Sequence, residues 1–98
     1  MSNGTVELMG RTLANALGPR GITVNTIAPG ATDSNISDVL QPPEVRAAIT
    51  AITALGRIGA PADIADVVAF LASEQSRWMT GNLIDASGGM CLGPLPVG

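Results

Sequence analysis

The side chains that most often carry out acid–base chemistry are missing from this sequence. Its 98 residues include no His and no Tyr, and its five basic residues are all Arg. A mechanism that needs a His base, a Tyr acid or a Lys helper therefore cannot be completed within these residues. The acidic residues do not have the spacing of metal ligands, and with no His and a single Cys the sequence excludes a structural zinc site.

One turn stands at the end of a predicted strand. The sequence Pro29-Gly30-Ala31-Thr32-Asp33-Ser34 follows a short run of β-branched residues. In α/β proteins, ligands bind at the carboxyl ends of the strands, which is where this turn is predicted to lie. The alternative is a turn that only ends a strand, with Asp33 and Ser34 bonding to their own backbone.

Charge and composition exclude several classes of partner. The net charge is −3 and aromatic residues make up 2% of the chain, so it has neither a basic footprint for nucleic-acid phosphates nor a platform for base stacking. No apolar run approaches the roughly 20 residues that span a membrane, and the N-terminus does not resemble a signal peptide. Cys91 is the only cysteine, which predicts a reducing, cytoplasmic location.

The first predicted element is a helix over residues 5–17. We expect Gly18 to end it in the left-handed conformation, because Pro19 cannot continue a helix. Small residues beside the apolar positions indicate a close approach to another element on that face. The apolar positions are Val6, Met9, Leu13 and Leu17, and the small ones are Gly10 and Ala14.

The remaining elements give the order helix–strand–helix–helix–strand. A long crossover between two strands predicts a parallel, right-handed unit, with an uncovered sheet edge beside residues 22–28. We expect one partial domain over residues 1–92 and a loose tail over 93–98, with Trp78 as a packing anchor. The elements are a strand over 22–28, a loop over 31–42 with one helical turn near Ser37–Leu40, a helix over 43–54, a helix from Pro61 to about Ser73 with a buried stripe of Ile64, Val67, Val68 and Leu71, and a strand over 82–86.

Three stretches in register resemble the C-terminal part of a short-chain dehydrogenase/reductase of the 3-oxoacyl-reductase-like type. They are RTLANALGPRGITVNTIAPG over residues 11–30, RIGAPADIA over 57–65 and TGNLIDASGG over 80–89. The resemblance implies an α/β fold that is the C-terminal half of a Rossmann-type doubly wound parallel sheet. It also implies a family that binds NAD or NADP and transfers hydride between nicotinamide and a carbonyl or alcohol.

The same resemblance implies that the catalytic residues are absent. The family's glycine-rich phosphate turn and catalytic Ser lie upstream of the stretches matched here. Asn3 occupies the position of the catalytic Lys, and the catalytic Tyr would fall before Met1. We therefore expect no catalytic and no metal-binding residue, and no activity from this chain alone.

What the resemblance leaves to this chain is the nicotinamide end of the cofactor site. It assigns cofactor binding to Pro29, Gly30, Thr32 and Ser34, with the backbone of Thr32 meeting the carboxamide. The Ser34 hydroxyl stands where the family usually has Thr. Residues 35–56 match the family's substrate-covering loop and helix; Ile36, Val39, Leu40 and Ile49 are the candidates to line it.

Two functions remain open. The first is a segment of an NAD(P)-dependent oxidoreductase that needs a missing N-terminal half. The alternative is a non-catalytic module that forms a homo-oligomer or completes its sheet with another chain. A fragment that arises by accident fits the sequence equally well.

Overall fold

The structure, a computed structural model, describes residues 4–33 and 42–92. The predicted order of helices and strands is confirmed, and the two strands form a parallel pair. The predicted helical turn near Ser37–Leu40 and the tail over 93–98 lie outside the described residues. The elements are helix α1 (Gly4–Leu17), a 3₁₀ turn (Gly18–Arg20), strand β1 (Thr26–Pro29), helix α2 (Pro43–Ala51), helix α3 (Pro61–Leu71), a second 3₁₀ turn (Glu74–Ser76) and strand β2 (Leu83–Ala86).

The chain divides into two compact units. The first takes its described residues from Met1–Ala28 and Ala65–Ile84, and the second from Pro29–Ile64 and Asp85–Gly98. Helix α3 and both strands contribute residues to each unit. Within the described ranges no third strand pairs with β1 or β2.

In the first unit, small residues make the closest contacts. Ala14 is 5% exposed and is the one buried hydrophobic residue among those described. A Cβ atom added at Gly10 would lie 2.6 Å from Thr26 Oγ1, and one added at Gly81 would lie 3.6 Å from the Cβ of Ala14. The predicted close approach at Gly10 and Ala14 is therefore confirmed.

The apolar stripes beside these small residues are not buried. Leu13 is 46% exposed, Val68 is 51% exposed, and Trp78, expected to anchor packing, is 96% exposed. The predictions of a buried Val68 and of Trp78 as a packing anchor are wrong, because no described element of the first unit covers either side chain. Val6 and Met9 are also exposed, whereas Leu17, Ile64, Val67 and Leu71 are half-buried.

Strand β1 is shorter than the predicted strand over 22–28 because side chains replace backbone pairing at its start. The Val24 N–H donates to Thr80 Oγ1 at 3.0 Å, and Asn25 Nδ2 donates to the Met79 carbonyl at 3.0 Å. Backbone bonds to the segment that leads into β2 start with the Val24 carbonyl, which accepts from the Gly81 N–H at 2.7 Å, and continue with the Thr26 N–H, which donates to the Asn82 carbonyl at 2.8 Å. Regular strand structure begins at Thr26.

Helix α2 ends before the predicted limit at residue 54 because the following residues pair with another segment. The N–H groups of Ala54 and Leu55 donate to the carbonyls of Gly89 (3.0 Å) and Gly88 (2.9 Å). The Cys91 N–H donates to the Ile52 carbonyl at 2.9 Å. These bonds take residues 52–55 out of the helix and fix its C-terminal end.

The turn after α1 differs from the prediction that Gly18 takes the left-handed conformation. Gly18 instead opens a 3₁₀ turn that Pro19, with its fixed φ, can join. Gly21 has φ +74°, and its N–H donates to the Gly18 carbonyl at 2.9 Å. The left-handed residue thus comes one turn later than expected.

Replacing Gly21 with Ala tests this assignment. A side chain at positive φ is strained, so we expect G21A to lower the free energy of unfolding by about 1–2 kcal/mol. The matched control is G18A, because a Cβ at either position meets no atom within 4 Å and only the backbone conformation differs. We expect G18A to leave stability unchanged or to raise it by up to about 1 kcal/mol. Urea unfolding followed by circular dichroism measures both, and equal losses would contradict the assignment.

Candidate functional site

The turn after β1 is held by a parallel bridge to the segment that precedes α3. The Gly59 N–H donates to the Ala31 carbonyl at 3.0 Å, and the Asp33 N–H donates to the Gly59 carbonyl at 2.7 Å. These two bonds define a bridge between Thr32 and Gly59. The position of Thr32 is therefore set by the backbone on either side of it.

This bridge leaves the backbone groups of Thr32 available. In a parallel bridge the residues before and after the bridging residue make the bonds, so the N–H and C=O of Thr32 point away from Gly59. Within residues 4–33 and 42–92, neither group has a hydrogen-bond partner. One donor beside one acceptor matches a primary carboxamide, which offers an acceptor oxygen and N–H donors.

The rest of the turn needs a glycine for steric reasons. A Cβ added at Gly30 would lie 2.8 Å from the Cβ and 2.9 Å from the Cα of Ser87. The Thr32 hydroxyl donates to the Gly30 carbonyl at 3.2 Å, which closes the turn internally. Pro29 is exposed at the end of β1. Three of the four predicted cofactor-binding residues, Pro29, Gly30 and Thr32, thus lie in one turn, while Ser34 lies outside the described residues.

Ser87, on which Gly30 packs, belongs to a turn that is itself closed by side chains. The Asp85 carboxylate accepts hydrogen bonds from the Ser87 N–H at 3.0 Å and from the Ser87 hydroxyl. The Ser87 hydroxyl oxygen accepts from the Met90 N–H at 3.1 Å. The surface under Gly30 is therefore well defined.

An ion pair that the sequence analysis did not identify fixes the end of the candidate turn. Arg46 donates from both guanidinium nitrogens to the two carboxylate oxygens of Asp33, at 2.6 and 3.0 Å. The side chains of Arg46 and Asp33 are 31% and 35% exposed. The hydrogen bonds from the guanidinium hold the pKa of Asp33 below its usual value, against an opposing effect of burial. Thirteen residues separate the two, so no local spacing rule indicates the pair.

A second ion pair holds the segment on the other side of the bridge. Arg57 forms two hydrogen bonds to Asp63, at 2.7 and 3.0 Å. The Asp63 carboxylate also accepts from the Ala60 N–H at 2.7 Å, which caps the N-terminus of α3. These bonds, first from Arg57 and then from Ala60, lower the pKa of Asp63 to about 2.

The low pKa of Asp63 predicts a pH dependence. Because the folded-state pKa lies below the ordinary 3.8, ionised Asp63 stabilises the fold above about pH 4, and this contribution is lost as the pH falls toward 2. We expect NMR titration of the carboxyl carbon to give a midpoint near 2, and Arg57→Gln to move it up toward the ordinary value. Arg20→Gln is the control and leaves the midpoint unchanged. An ordinary midpoint in the unmodified chain would contradict the pairing.

The turn after β1 and the two helices that follow it fit only the nicotinamide end of a dinucleotide. The Thr32 backbone suits the nicotinamide carboxamide, but α2 and α3 both begin with proline, which removes an N–H that a pyrophosphate would need. No glycine-rich turn opens either helix. Among the described residues there is no cluster of metal-ligating side chains, and none of their helices is long and apolar enough to cross a bilayer.

Comparison with known proteins identifies the family of the chain. Residues 1–91 match the family model described as enoyl-(acyl carrier protein) reductase. An uncharacterized oxidoreductase of Methylorubrum extorquens is 45% identical over 91 residues, which cover 91% of this chain and 37% of that protein. An angucycline C-6 ketoreductase with bound NADP has a TM-score of 0.81 at 52% identity, covering 92% of this chain and 35% of the other.

A third relative carries the other form of the cofactor. The 3-oxoacyl-[acyl-carrier protein] reductase of Brucella melitensis with bound NAD has a TM-score of 0.79 at 36% identity, covering 92% of this chain and 32% of the other. The chain therefore spans about a third of the length of these relatives. On these matches, and on the arrangement of its helices and parallel strands, this chain belongs to the short-chain dehydrogenase/reductase family and forms part of a Rossmann-type fold.

Proposed function

We propose that this chain forms the nicotinamide-binding and substrate-facing segment of an NAD(P)-dependent oxidoreductase that acts on a carbonyl or alcohol. The observation that carries the proposal is the backbone of Thr32, whose N–H and C=O point away from the Thr32–Gly59 bridge. Two relatives hold NADP and NAD, and both cofactors end in the nicotinamide carboxamide that these two groups match.

In this proposal the chain orients the cofactor and does not move protons. The cofactor, when bound, supplies or accepts the hydride. A carboxamide bound there would accept a hydrogen bond from the Thr32 N–H through its oxygen and donate one to the Thr32 C=O through its nitrogen, and the family resemblance assigns a further bond to the Ser34 hydroxyl. Held in this way, the ring cannot rotate freely, and a fixed orientation of reacting groups is a main source of catalytic rate.

The remaining parts of the reaction require residues that these 98 do not include. There is no His, Tyr or Lys to act on the substrate oxygen, and no glycine-rich turn to hold the pyrophosphate. We therefore propose that the chain alone is inactive and that turnover needs the glycine-rich turn and the catalytic Ser, Tyr and Lys on additional polypeptide. A cytoplasmic location remains a prediction that rests on the single, exposed Cys91.

A chimera tests the proposed function. The chimera consists of the part of the Brucella melitensis reductase that precedes the matched region, followed by this chain from residue 4 onward. The relative therefore supplies every residue upstream of residue 4. With NADPH, NADH and a 3-oxoacyl thioester, we expect no cofactor oxidation by the chain alone and measurable oxidation by the chimera. A folded but inactive chimera would contradict the proposal, and turnover by the chain alone would contradict its inactivity.

Substitutions at Thr32 in the chimera locate the contact. Thr32→Pro removes the N–H and should lower kcat/KM by about tenfold or more, as loss of a hydrogen bond in a water-excluded site does. Thr32→Ala keeps both backbone groups and should stay within about threefold of the unmodified chimera. Equal losses of kcat/KM in the two variants would contradict the proposed contact between the cofactor and the Thr32 backbone.

A second candidate function is self-association, and the exposed apolar side chains of the first unit favour it. Val6, Met9 and Leu13 on α1 and Val68 and Phe70 on α3 are each more than 40% exposed. Exposed apolar side chains in such number are typical of interaction surfaces.

Sedimentation equilibrium of the chain tests this alternative. We expect a dimer or larger oligomer, with Leu13→Asp shifting the equilibrium toward monomer because a charge cannot be buried in an apolar interface. Thr23→Asp is the control, since Thr23 is exposed and lies outside both helices. A compact monomer at high concentration would exclude self-association.

A further inference from the structure

We propose that the Arg46–Asp33 ion pair is a positioning contact that holds Thr32 in the orientation in which its backbone binds the nicotinamide carboxamide. The inference rests on the proposed function and deepens it, because it concerns what keeps the binding groups in place. All residues it uses lie in the second unit.

The pair acts at the residue directly after Thr32. The Asp33 N–H is bonded to the Gly59 carbonyl at 2.7 Å, and the Asp33 carboxylate is held by the Arg46 fork at 2.6 and 3.0 Å. Rotation of the Thr32–Asp33 peptide would break the hydrogen bond to the Gly59 carbonyl and strain the two hydrogen bonds from Arg46. With the fork removed, the Asp33 N–H bond to Gly59 is the one contact among the described residues that still holds this peptide, and with it the Thr32 C=O, on its Asp33 side.

The other end of the contact is a fixed support. Arg46 lies in α2, and its carbonyl accepts a hydrogen bond from the Thr50 hydroxyl at 2.9 Å. Past the C-terminal end of the same helix, the Ala54 and Leu55 N–H groups bond to Gly89 and Gly88. A charged group on an anchored helix can impose its position on a turn, whereas one on a loose segment cannot.

The chemistry of the pair favours positioning over catalysis. The guanidinium engages both carboxylate oxygens of Asp33, which stabilises the ionised form and makes Asp33 a weak proton acceptor. A planar fork on a carboxylate fixes distance and direction together, which a lysine ammonium does not. Arg46→Lys therefore keeps the charge and loses the geometry, which makes it the informative conservative variant.

Amide hydrogen exchange of the chain, followed by NMR, is the first arm of the test and needs no cofactor. With Arg46→Gln we expect exchange of the Asp33 N–H to rise about tenfold or more, and with Arg46→Lys to rise by an intermediate factor. The Cys91 N–H, which bonds to Ile52, should change by less than about twofold. Asp33→Asn removes the same contact from the other side and should reproduce the first result.

Controls separate a local effect from general loss of structure. Arg77→Gln removes an equal charge whose guanidinium bonds to the Glu74 carbonyl and should leave the Asp33 N–H unchanged. If the Asp33 and Cys91 N–H groups accelerate equally in both Arg46→Gln and Asp33→Asn, the pair supports the unit as a whole and the proposal is wrong. An unchanged Asp33 N–H in these variants overturns it as well.

The second arm uses the chimera and two cofactors. NAD is compared with its 3-acetylpyridine analogue, which has a methyl ketone in place of the carboxamide and so offers no N–H to the Thr32 C=O. If Arg46 positions that carbonyl, Arg46→Gln should lower kcat/KM with both cofactors. The fold-loss with NAD should be about three times the fold-loss with the analogue, or more. A merely structural role lowers both values by the same factor, and that result would overturn the proposal.

The two arms keep the inference distinct from the proposed function. An inactive chimera contradicts the proposed function, while hydrogen exchange still decides whether the pair holds the turn. An active chimera with unchanged exchange in Arg46→Gln leaves the proposed function standing and removes the role of Arg46.

Discussion

The bridge between Thr32 and Gly59 is the interaction on which the candidate site depends. It is made by the backbone of Ala31, Asp33 and Gly59, and the parallel geometry directs the groups of Thr32 to the other side. The side chain at position 32 closes the turn internally and is not needed for the contact. A site built in this way tolerates a change of side chain at its centre but not a change in the path of the chain.

Two ion pairs of similar geometry hold the two sides of that bridge, and they differ in how far the sequence reveals them. Arg57 and Asp63 lie on either side of Pro61, which marks a helix start, so a local pattern indicates their pairing. Arg46 and Asp33 are brought together only when α2 packs against the turn. Reasoning from the sequence can name the turn and its glycine, but the contact that fixes its end depends on tertiary structure.

The same distinction explains which element boundaries were predicted correctly. The start of α3 follows from Pro61 and Asp63, which act within one helical turn. The end of α2 does not, because it is set by bonds to Gly88 and Gly89 more than thirty residues away along the chain. Hydrophobic periodicity likewise identifies the apolar face of α1 without saying whether anything covers it. The small residue Ala14 marks the true contact, while the larger side chains beside it stay exposed.

The exposure of Trp78 gives the chain an optical property. The sequence has one Trp and no Tyr, so a single indole dominates its near-ultraviolet absorption and its fluorescence. With 96% of that residue exposed, the emission is that of an indole in water. Anything that shields this ring, whether a second polypeptide or a small molecule, would shift the emission to shorter wavelength, so the chain carries its own spectroscopic reporter of association.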